Sequence, residues 1–249
     1  MRELFAHIAA RYDRMNRIMS LALDRRWRRL ALNAATLPPT GAVLDLACGT
    51  GDFTVEVRLR CPKAAIIGID LTPEMLEIAR AKTSRMSGIR FQTGDAQDLA
   101  ELPDGTFGLI ICAFGFRNFP DKSKALAECR RVLAPDGELV VLELFHPVSR
   151  ILGFLVNIWL AVIAFLFARD TPTEYAYLRR SVSDTISADA FAGLAEEAGF
   201  SLHSRRFFLP AATCMVFKCA TSRPDDRTGL INDRKAPSEP QGIVGRKAI

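Results

Sequence analysis

Residues 44–53 read LDLACGTGDF, an apolar stretch that passes directly into an acidic turn with two glycines. Glycine has no Cβ and accepts positive φ, so Gly49 and Gly51 allow the backbone to approach a ligand closely. The stretch continues a strand-like run at 42–47 and leads into a predicted helix at 54–60. A glycine turn between a strand and a helix is a common ligand site of α/β sheets. These residues therefore predict the type of fold and the position of its binding site.

Strand-like and helix-like segments alternate beyond this turn. Further strands are predicted at 64–69, 89–93, 107–113 and 138–144, and the run at 107–113 is continuously apolar. Helical segments lie between them at 73–82 and 122–133, and Thr72 followed by Pro73 is a typical helix start. This alternation predicts an α/β fold, a Rossmann-like doubly wound sheet.

The pattern changes after residue 144. A helix is predicted at 188–198, capped by Ser187 and ended by Gly199. Two further runs, at 201–208 and 213–220, are joined by a short link, which favours an antiparallel pair. We therefore expect a seven-stranded, mostly parallel sheet with an antiparallel C-terminal strand and helices on both faces.

The spacing of the glycine turn indicates which ligand it holds. The turn fits neither the dinucleotide fingerprint G-x-G-x-x-G nor the phosphate-binding G-x-x-x-x-G-K-[ST]. Its order D-x-A-x-G-x-G, beginning at Asp45, resembles motif I of class I S-adenosylmethionine-dependent methyltransferases. Asp52 follows at the predicted start of the helix, where a carboxylate would repel a pyrophosphate but tolerate a cationic sulfonium and ammonium. The turn therefore favours S-adenosylmethionine.

Two further acids end the next two strands. Asp70 closes IIGID and can accept hydrogen bonds from both ribose hydroxyls, although that acid alone also fits NAD. Asp95 in TGDAQDL is placed to bind the adenine amino group, with Ala96 against the ring. Because the carboxyl ends of parallel strands share one edge of the sheet, we expect these acids to face the same crevice.

Charge and cysteine usage bound the class of protein. The net charge is +5, and residues 2–29 hold eight arginines against Glu3, Asp13 and Asp24. Such an N-terminus suits an anionic membrane surface or a nucleic acid, or is simply a solvated helix face. The six cysteines lack CxxC spacing and the three histidines lie far apart, so we expect no metal site. No secretory signal is evident, and reduced cytoplasmic thiols are the expectation.

Between residues 5 and 220 the chain resembles the ubiquinone/menaquinone biosynthesis C-methyltransferases. The specific stretches are FAHIAARYDRMNRIMSLALDRRWRRLAL and GDAQDLAELPDGTFGLIICAFGFRNFPDKSKAL, supported by VLDLACGTGDFT and EYAYLRRSV. The resemblance implies transfer of a methyl group to a ring carbon of a reduced polyprenyl quinone precursor. The benzoquinol and naphthoquinol types both remain open at this point. By position, the family's cofactor residues correspond to Thr50, Asp70, Asp95 and Ala96.

We expect a larger set of residues to contact S-adenosylmethionine. It comprises Asp45, Gly49, Thr50, Gly51, Asp52, Asp70, Leu71, Asp95, Ala96 and Ala113. Ala113 stands where many family members carry serine, which removes one hydroxyl from the pocket.

Arg117 and Asn118 are the candidates for catalysis, just beyond the fourth strand. A guanidinium is almost never neutral, so Arg117 is expected to stabilise a developing oxyanion or orient a proton-accepting water rather than act as a base. An ordinary loop cap with a surface ion pair is the alternative. Tyr12, Phe114 and His146 are the candidates for substrate contact, and each also has a purely structural interpretation.

The resemblance suggests three parts. Residues 1–40 form an N-terminal helical segment that covers the substrate or faces a membrane, with an unbroken helix predicted at 4–35. Residues 41–221 form the methyltransferase domain, and 222–249 a disordered tail. Within the domain, 151–167 read ILGFLVNIWLAVIAFLF, an uncharged run at the short limit of a bilayer span. It is a buried helix, an interfacial helix or a span, and the interfacial form would suit a peripheral protein at the inner face of the cell membrane.

Three alternatives stay open from the sequence. A methyltransferase of the same fold would act on another lipid-like acceptor, such as a phospholipid amine. A non-catalytic subunit would bind the cofactor and scaffold a quinone-biosynthesis complex. A nucleic-acid methyltransferase is suggested only by the basic charge, and no typical nucleophile motif accompanies it, so no nucleic-acid partner is expected. The sequence leaves open whether the protein forms a homodimer.

Overall fold

One seven-stranded sheet organises the protein. The computed structural model describes residues 2–38, 40–146, 184–208 and 211–220, with the five positions 153, 154, 158, 162 and 181. The strand order is β3-β2-β1-β4-β5-β7-β6. The strands are β1 Ala42–Leu46, β2 Ala65–Asp70, β3 Ile89–Thr93, β4 Phe107–Ala113, β5 Leu133–Glu143, β6 Phe200–Phe208 and β7 Ala212–Cys219. Strands β1 to β5 are parallel and β7 is antiparallel to both neighbours, which confirms the predicted fold class.

Helices cover both faces of the sheet. They are α1 Arg2–Met19, α2 Leu23–Leu32, α3 Asp52–Arg60, α4 Pro73–Lys82, α5 Lys122–Val132 and α6 Ala188–Glu197, with a short 3-10 helix at Phe116–Asn118. Successive strand residues alternate between two cores. Val43 packs with Trp27 and Phe53 under α1 to α3, whereas Leu44 packs with Leu126 and Phe191 under α5 and α6. The central strands β1, β4 and β5 are therefore largely buried on both faces, whereas the edge strands β3 and β6 are partly exposed.

The helix starts follow local capping chemistry. The Asp121 side chain accepts a hydrogen bond from the backbone N–H of Lys124 at 2.9 Å. Ser187 does the same for Ala190 at 3.1 Å, which confirms the predicted cap of α6. Helix α3 begins after Gly51, whose φ of 79° is accessible to glycine at little cost.

The N-terminal segment is two helices rather than the single helix predicted at 4–35. Leu21 and Ala22 adopt left-handed conformations with φ of 52° and 59°, and the chain turns there between α1 and α2. Neither residue is a glycine or a proline, so the sequence carries no local sign of the break. The turn lets α2 pack against the sheet while α1 packs against α4.

The connection before β5 also differs from the prediction. Residues 134–137, between the predicted helix at 122–133 and the predicted strand at 138–144, belong to the strand. Its pairing with β4 jumps from Phe107–Leu133 to Leu109–Glu138. This irregularity places extra residues on the β5 side of the ladder. It corresponds to a local bulge in the strand.

The topology places a crevice between β1 and β4. The order of the parallel strands reverses at this pair, and ligands of such sheets bind beyond their carboxyl ends. The uncharged run at 151–167, the motif at 174–182 and the tail at 222–249 lie outside the described residues, apart from positions 153, 154, 158, 162 and 181. Among the described helices, none combines the length and apolar character needed to cross a bilayer.

Candidate active site

Two adjoining cavities occupy the crevice. The larger has a volume of about 230 Å³ and the smaller about 20 Å³. Tyr12, Ala47, Gly49 and Ala113 line both, so the two cavities are parts of one site. The larger cavity lies over the ends of β2, β3 and β4, and the smaller lies against the glycine turn after β1.

Asp70 connects the end of β2 to the glycine turn after β1. It is the last residue of β2, and its two carboxylate oxygens accept the backbone N–H groups of Gly49 at 2.8 Å and Thr72 at 2.9 Å. Burial raises the pKa of this carboxyl, and the hydrogen bonds from Thr72 and Gly49 oppose that rise. The bonds fix the carboxylate beside the glycine turn, where its remaining lone pairs can accept two hydroxyls of a ligand.

Asp95 follows β3 and lines the same cavity. Its Oδ1 atom accepts the backbone N–H of Gln97 at 2.9 Å and the Gln97 side-chain amide at 3.1 Å. Neighbouring side chains are apolar, namely Ile69, Leu71, Met75 and Ala96. This part of the cavity thus offers a carboxylate among apolar surfaces, which suits a flat heterocycle with an amino group.

Asp45 lies beneath the glycine turn. The side chain is buried and accepts the Thr54 hydroxyl at 2.5 Å. Burial raises the pKa of Asp45 to about 7, and the Thr54 hydrogen bond and the nearby Arg28 cation oppose that rise. Asp45 also lines the smaller cavity. A charged ligand group bound at the glycine turn would therefore shift the pKa of this carboxyl.

A polar cluster ties α1 to the glycine turn. The Lys82 ammonium contacts Asp13 of α1 at 2.7 Å and Asp52 of α3, and it lies 3.3 Å from the Thr50 hydroxyl. That hydroxyl donates to Asp13 at 2.5 Å. The pKa of Asp52 is lowered because Lys82 and nearby arginines outweigh its desolvation. The cluster holds Tyr12, one residue before Asp13, in the lining of both cavities.

The chain is strained where β1 and β4 end. Ala47 and Phe114 have φ of 54° and 61°, in the left-handed region that costs a residue with a Cβ about 1–2 kcal/mol. Both residues line the larger cavity. The guanidinium carbons of Arg28 and Arg117 lie 5.6 and 5.8 Å from the centroid of the Phe114 ring. Backbone strain of this kind concentrates at functional sites.

Arg117 is buried beside the larger cavity. Its Nη1 atom donates to Glu143 Oε1 at 2.7 Å and to the Phe114 carbonyl at 2.8 Å. The Arg117 backbone N–H donates to the other carboxylate oxygen of Glu143 at 3.1 Å. Asn118, which does line the cavity, donates from its amide to the same Phe114 carbonyl at 3.3 Å. Arg117 therefore secures the loop that presents Phe114 and Asn118.

Most of the residues predicted from sequence meet in these cavities. The larger is lined by Gly49, Asp70, Leu71, Asp95, Ala96 and Ala113 and by Tyr12, Phe114 and Asn118. Asp45, Thr50 and Asp52 line the smaller. Gly51 and Arg117 lie just behind the lining. His146 is exposed, lines neither cavity, and pairs through its backbone N–H with Ile186 at 3.1 Å.

Sequence reasoning missed several residues of the site. Phe5, Gln97 and Phe119 line the larger cavity, and Arg28 lines the smaller. Lys82 joins the polar cluster from the far end of α4. The only sequence signal for Arg28 was its place in the motif DRRWRRL, and Lys82 had none.

The residues fit an adenosyl sulfonium compound. Asp70 can hold vicinal hydroxyls, Asp95 and Ala96 suit an adenine, and the acids disfavour a phosphate-bearing ligand. Such a sheet and site define a class I S-adenosylmethionine-dependent methyltransferase. The chain belongs to the ubiE/COQ5 methyltransferase family, whose model matches residues 1–214.

Individual relatives agree with this assignment. The chain is 41% identical over 208 residues to the demethylmenaquinone methyltransferase of Deinococcus radiodurans, covering 82% of this chain and 86% of that protein. It is 38% identical over 224 residues to the ubiquinone/menaquinone biosynthesis C-methyltransferase UbiE of Citrifermentans bemidjiense, covering 87% and 94%. A possible histamine N-methyltransferase from Thermotoga maritima shares the fold with a TM-score of 0.63 at 19% identity, covering 87% of this chain and 99% of that chain.

Proposed function

We propose that the protein transfers the methyl group of S-adenosylmethionine to a ring carbon of a reduced polyprenyl quinone precursor. The acceptor is of the demethylmenaquinol or 2-polyprenyl-6-methoxybenzoquinol type. The names of the relatives support this acceptor class, since one is a demethylmenaquinone methyltransferase and another serves ubiquinone and menaquinone biosynthesis. The product would then belong to menaquinone or ubiquinone biosynthesis.

One observation carries the proposal. The cavity that holds Asp70 and Asp95 is also lined by four aromatic side chains. These are Phe5, Tyr12, Phe114 and Phe119. Aromatic surfaces favour an aromatic acceptor, because rings stack edge-to-face or offset against one another. A cavity with both linings brings an aromatic substrate next to the cofactor.

Methylation at carbon needs a nucleophilic ring carbon. A quinol hydroxyl that loses its proton places negative charge on the neighbouring ring carbon. S-adenosylmethionine, when bound, supplies an electrophilic methyl group on a sulfonium sulfur. The protein's main contribution is to orient the ring, and correct orientation alone can lower a barrier by about 7–11 kcal/mol.

The loop after β4 supports this orientation. Asn118 lines the cavity, and we assign its amide the contact with the substrate oxygen. Arg117 acts through the loop as a positioning residue, since its guanidinium contacts Glu143 and the Phe114 carbonyl. Its positive charge, near the Phe114 ring, also favours an anionic substrate. Asn118→Leu should lower kcat by roughly 10- to 100-fold.

The test is product identification. The purified protein is incubated with methyl-labelled S-adenosylmethionine and a panel of demethylated acceptors, each supplied both reduced and oxidised. Benzoquinols, naphthoquinols and a phospholipid amine make up the panel. We expect label on a ring carbon of a quinol and none with the matching quinone, because only the quinol can form a phenolate.

Other outcomes separate the alternatives. Label on nitrogen of the phospholipid amine would replace the quinol proposal with an N-methyltransferase. Cofactor binding without label in any product would favour the scaffold.

A membrane-bound acceptor also needs access from the bilayer, and we propose that the N-terminal helices face it. Six arginines of α1 and α2 are exposed: Arg11, Arg14, Arg17, Arg25, Arg26 and Arg29. Leu21, in the turn between these helices, is 60% exposed. Phe154, Ile158 and Val162 are exposed as well, each in helical conformation and four residues apart. Arginines beside exposed apolar groups suit peripheral binding at the inner face of the cell membrane.

Flotation with liposomes tests the membrane contact. Vesicles of phosphatidylcholine with 30% phosphatidylglycerol should carry the protein upward at low salt, and vesicles of phosphatidylcholine alone should carry less. Replacing Arg14, Arg25 and Arg29 by glutamine should reduce flotation, while a triple replacement of exposed acids elsewhere should not. Equal recovery with both vesicle types would contradict the proposal.

A further inference from the structure

Arg28 differs from an ordinary structural arginine. It lies on α2, only 6% exposed, and its Nη1 atom donates to Asp24 at 2.6 Å. Among the described residues, Asp24 is its one hydrogen-bond acceptor, and the buried Nε–H has none. A buried donor without an acceptor is costly, so such a group indicates that a partner is missing.

The surroundings of Arg28 indicate where that partner lies. Arg28 lines the smaller cavity, together with Gly49 and Thr50 of the glycine turn. Arg58 provides a contrast, because its Nε–H also lacks an acceptor among the described residues but it lines neither cavity. The terminal nitrogens of Arg58 bind four backbone carbonyls and fulfil a structural role. Of these two arginines, Arg28 is the one that combines incomplete pairing among the described residues with a place in the site.

Arg28 is the cation among the three charged side chains that line the smaller cavity, so an anionic group of a ligand would bind at Arg28. Asp45 and Asp52 also line this cavity, but Asp52 is paired with Lys82. Asp24 is paired with Arg28 through one terminal nitrogen, which leaves the rest of the guanidinium for a ligand. A guanidinium with Nε and a second nitrogen available matches a carboxylate in a two-bond geometry.

We infer that Arg28 binds the methionine carboxylate of the cofactor. S-adenosylmethionine has one anionic group, the carboxylate at the end opposite the adenine. Asp70 and Asp95 line only the larger cavity, which assigns the adenosine moiety to that part and the amino-acid moiety to the smaller cavity. The assignment concerns cofactor binding and does not depend on which acceptor is methylated.

A pair of ligands isolates the carboxylate contact. S-adenosylmethionine and its decarboxylated analogue differ by this one group, and calorimetry measures the dissociation constant of each. The wild-type protein should bind S-adenosylmethionine about 10- to 100-fold more tightly, as expected for a charge-assisted contact. In Arg28→Gln that preference should fall to about 3-fold or less, with the decarboxylated analogue bound nearly as in the wild type.

The controls keep the result interpretable. Binding of the decarboxylated analogue by Arg28→Gln shows that its pocket is folded. Arg90→Gln, on the exposed face of β3, removes the same charge away from the site and should keep the full preference. If Arg28→Gln binds neither ligand, Arg28→Lys is tested instead, because it retains a cation for Asp24. The preference of Arg28→Lys for S-adenosylmethionine over the decarboxylated analogue must then fall below that of the wild type.

Two results would overturn the assignment. One is an undiminished preference for the carboxylate in both Arg28 variants. The other is unchanged binding of S-adenosylmethionine with a raised KM for the methyl acceptor, which would place the guanidinium against the acceptor's oxygen instead.

Discussion

Replacing Glu143 by glutamine tests the buried ion pair behind the active-site loop. The Glu143 side chain is 1% exposed and that of Arg117 is 7% exposed, with 2.7 Å between the charged atoms. Oε1 also accepts the Leu144 N–H at 2.8 Å, and Oε2 accepts the Arg117 N–H at 3.1 Å. A glutamine has only one acceptor oxygen, so its NH₂ group must face a donor, and the Arg117 guanidinium loses its contact with the Glu143 carboxylate.

The cost follows from burial. Removing one member of a buried pair typically costs about 3–5 kcal/mol, because the other charge stays desolvated. With an unfolding slope of about 2 kcal/mol per molar urea, a loss of ~3 kcal/mol lowers the midpoint by about 1.5 M. We expect this shift in urea titrations followed by circular dichroism and by tryptophan fluorescence, with coincident curves supporting a two-state analysis.

Glu128 provides a matched control. Its carboxylate also accepts a backbone N–H, from Leu99 at 2.7 Å, and a guanidinium, from Arg131 at 2.8 Å. It is 20% exposed, so Glu128→Gln should cost about 1 kcal/mol or less. Equal losses in the two variants would refute the argument from burial. The double variant Arg117→Met/Glu143→Leu should be more stable than the single variant Glu143→Gln, because it leaves no buried charge behind.

Four further substitutions probe the core, helix α6, the glycine turn and the polar cluster. In thermal melts, Gly68→Ala should lower the free energy of unfolding by about 1–3 kcal/mol, because its Cβ would lie 2.5 Å from the Phe91 ring. Gly193→Ala in α6, where a Cβ would meet nothing within 4 Å, should raise it by about 0.5–1 kcal/mol. The pKa of Asp45 is about 7 in the folded protein and 3.8 in the unfolded chain, so the wild type loses free energy of unfolding as pH rises from 4 to 7. In urea titrations, the free energy of unfolding of Asp45→Asn should therefore gain up to about 4 kcal/mol relative to wild type over that range. Lys82→Met should weaken S-adenosylmethionine binding roughly 2- to 30-fold by calorimetry, since two partly exposed pairs each contribute about 0.2–1 kcal/mol.

Each of these predictions has a contradicting result. A stability difference between the Asp45 variant and wild type that is constant from pH 4 to 7 would show that the carboxyl titrates normally in the folded state. Lys63→Met, which removes an exposed lysine away from the site, is the control for Lys82→Met. An equal loss of S-adenosylmethionine affinity in both variants would show that the polar cluster does not cause the effect. A neutral Gly68→Ala would mean that the Phe91 ring moves aside at no cost.

The sheet was predictable because its signals are local. Helix α4 and strands β3 and β4 match their predicted bounds. Pro73 marks the start of α4, although the predicted Thr72 cap makes no side-chain hydrogen bond, and the continuous apolar run of β4 marks a buried strand. The break at Leu21 and Ala22 was not predictable, because tertiary packing of α2 forces two ordinary residues into left-handed conformations.

The parts of the site that lie at strand ends were predictable, and the parts contributed by helices were not. Asp70 and Asp95 end strands, so the topology alone brings them to the same edge of the sheet. Arg28 and Lys82 come from helices, and only the folded chain shows that they approach the glycine turn. Long-range contacts of helix side chains leave no pattern in a single sequence.

The polar cluster at Lys82 gives cofactor affinity a dependence on ionic strength. The Lys82 and Asp13 side chains are each 25% exposed, so dissolved ions weaken their attraction, and the Debye length shrinks from about 10 Å at 0.1 M to 3 Å at 1 M. Helix α1 carries Tyr12 into the lining of both cavities, so loosening its attachment also loosens the cover of the bound nucleoside. Dissociation of the cofactor should accelerate in concentrated potassium chloride, even though adenine and ribose recognition rests on groups that salt screens far less.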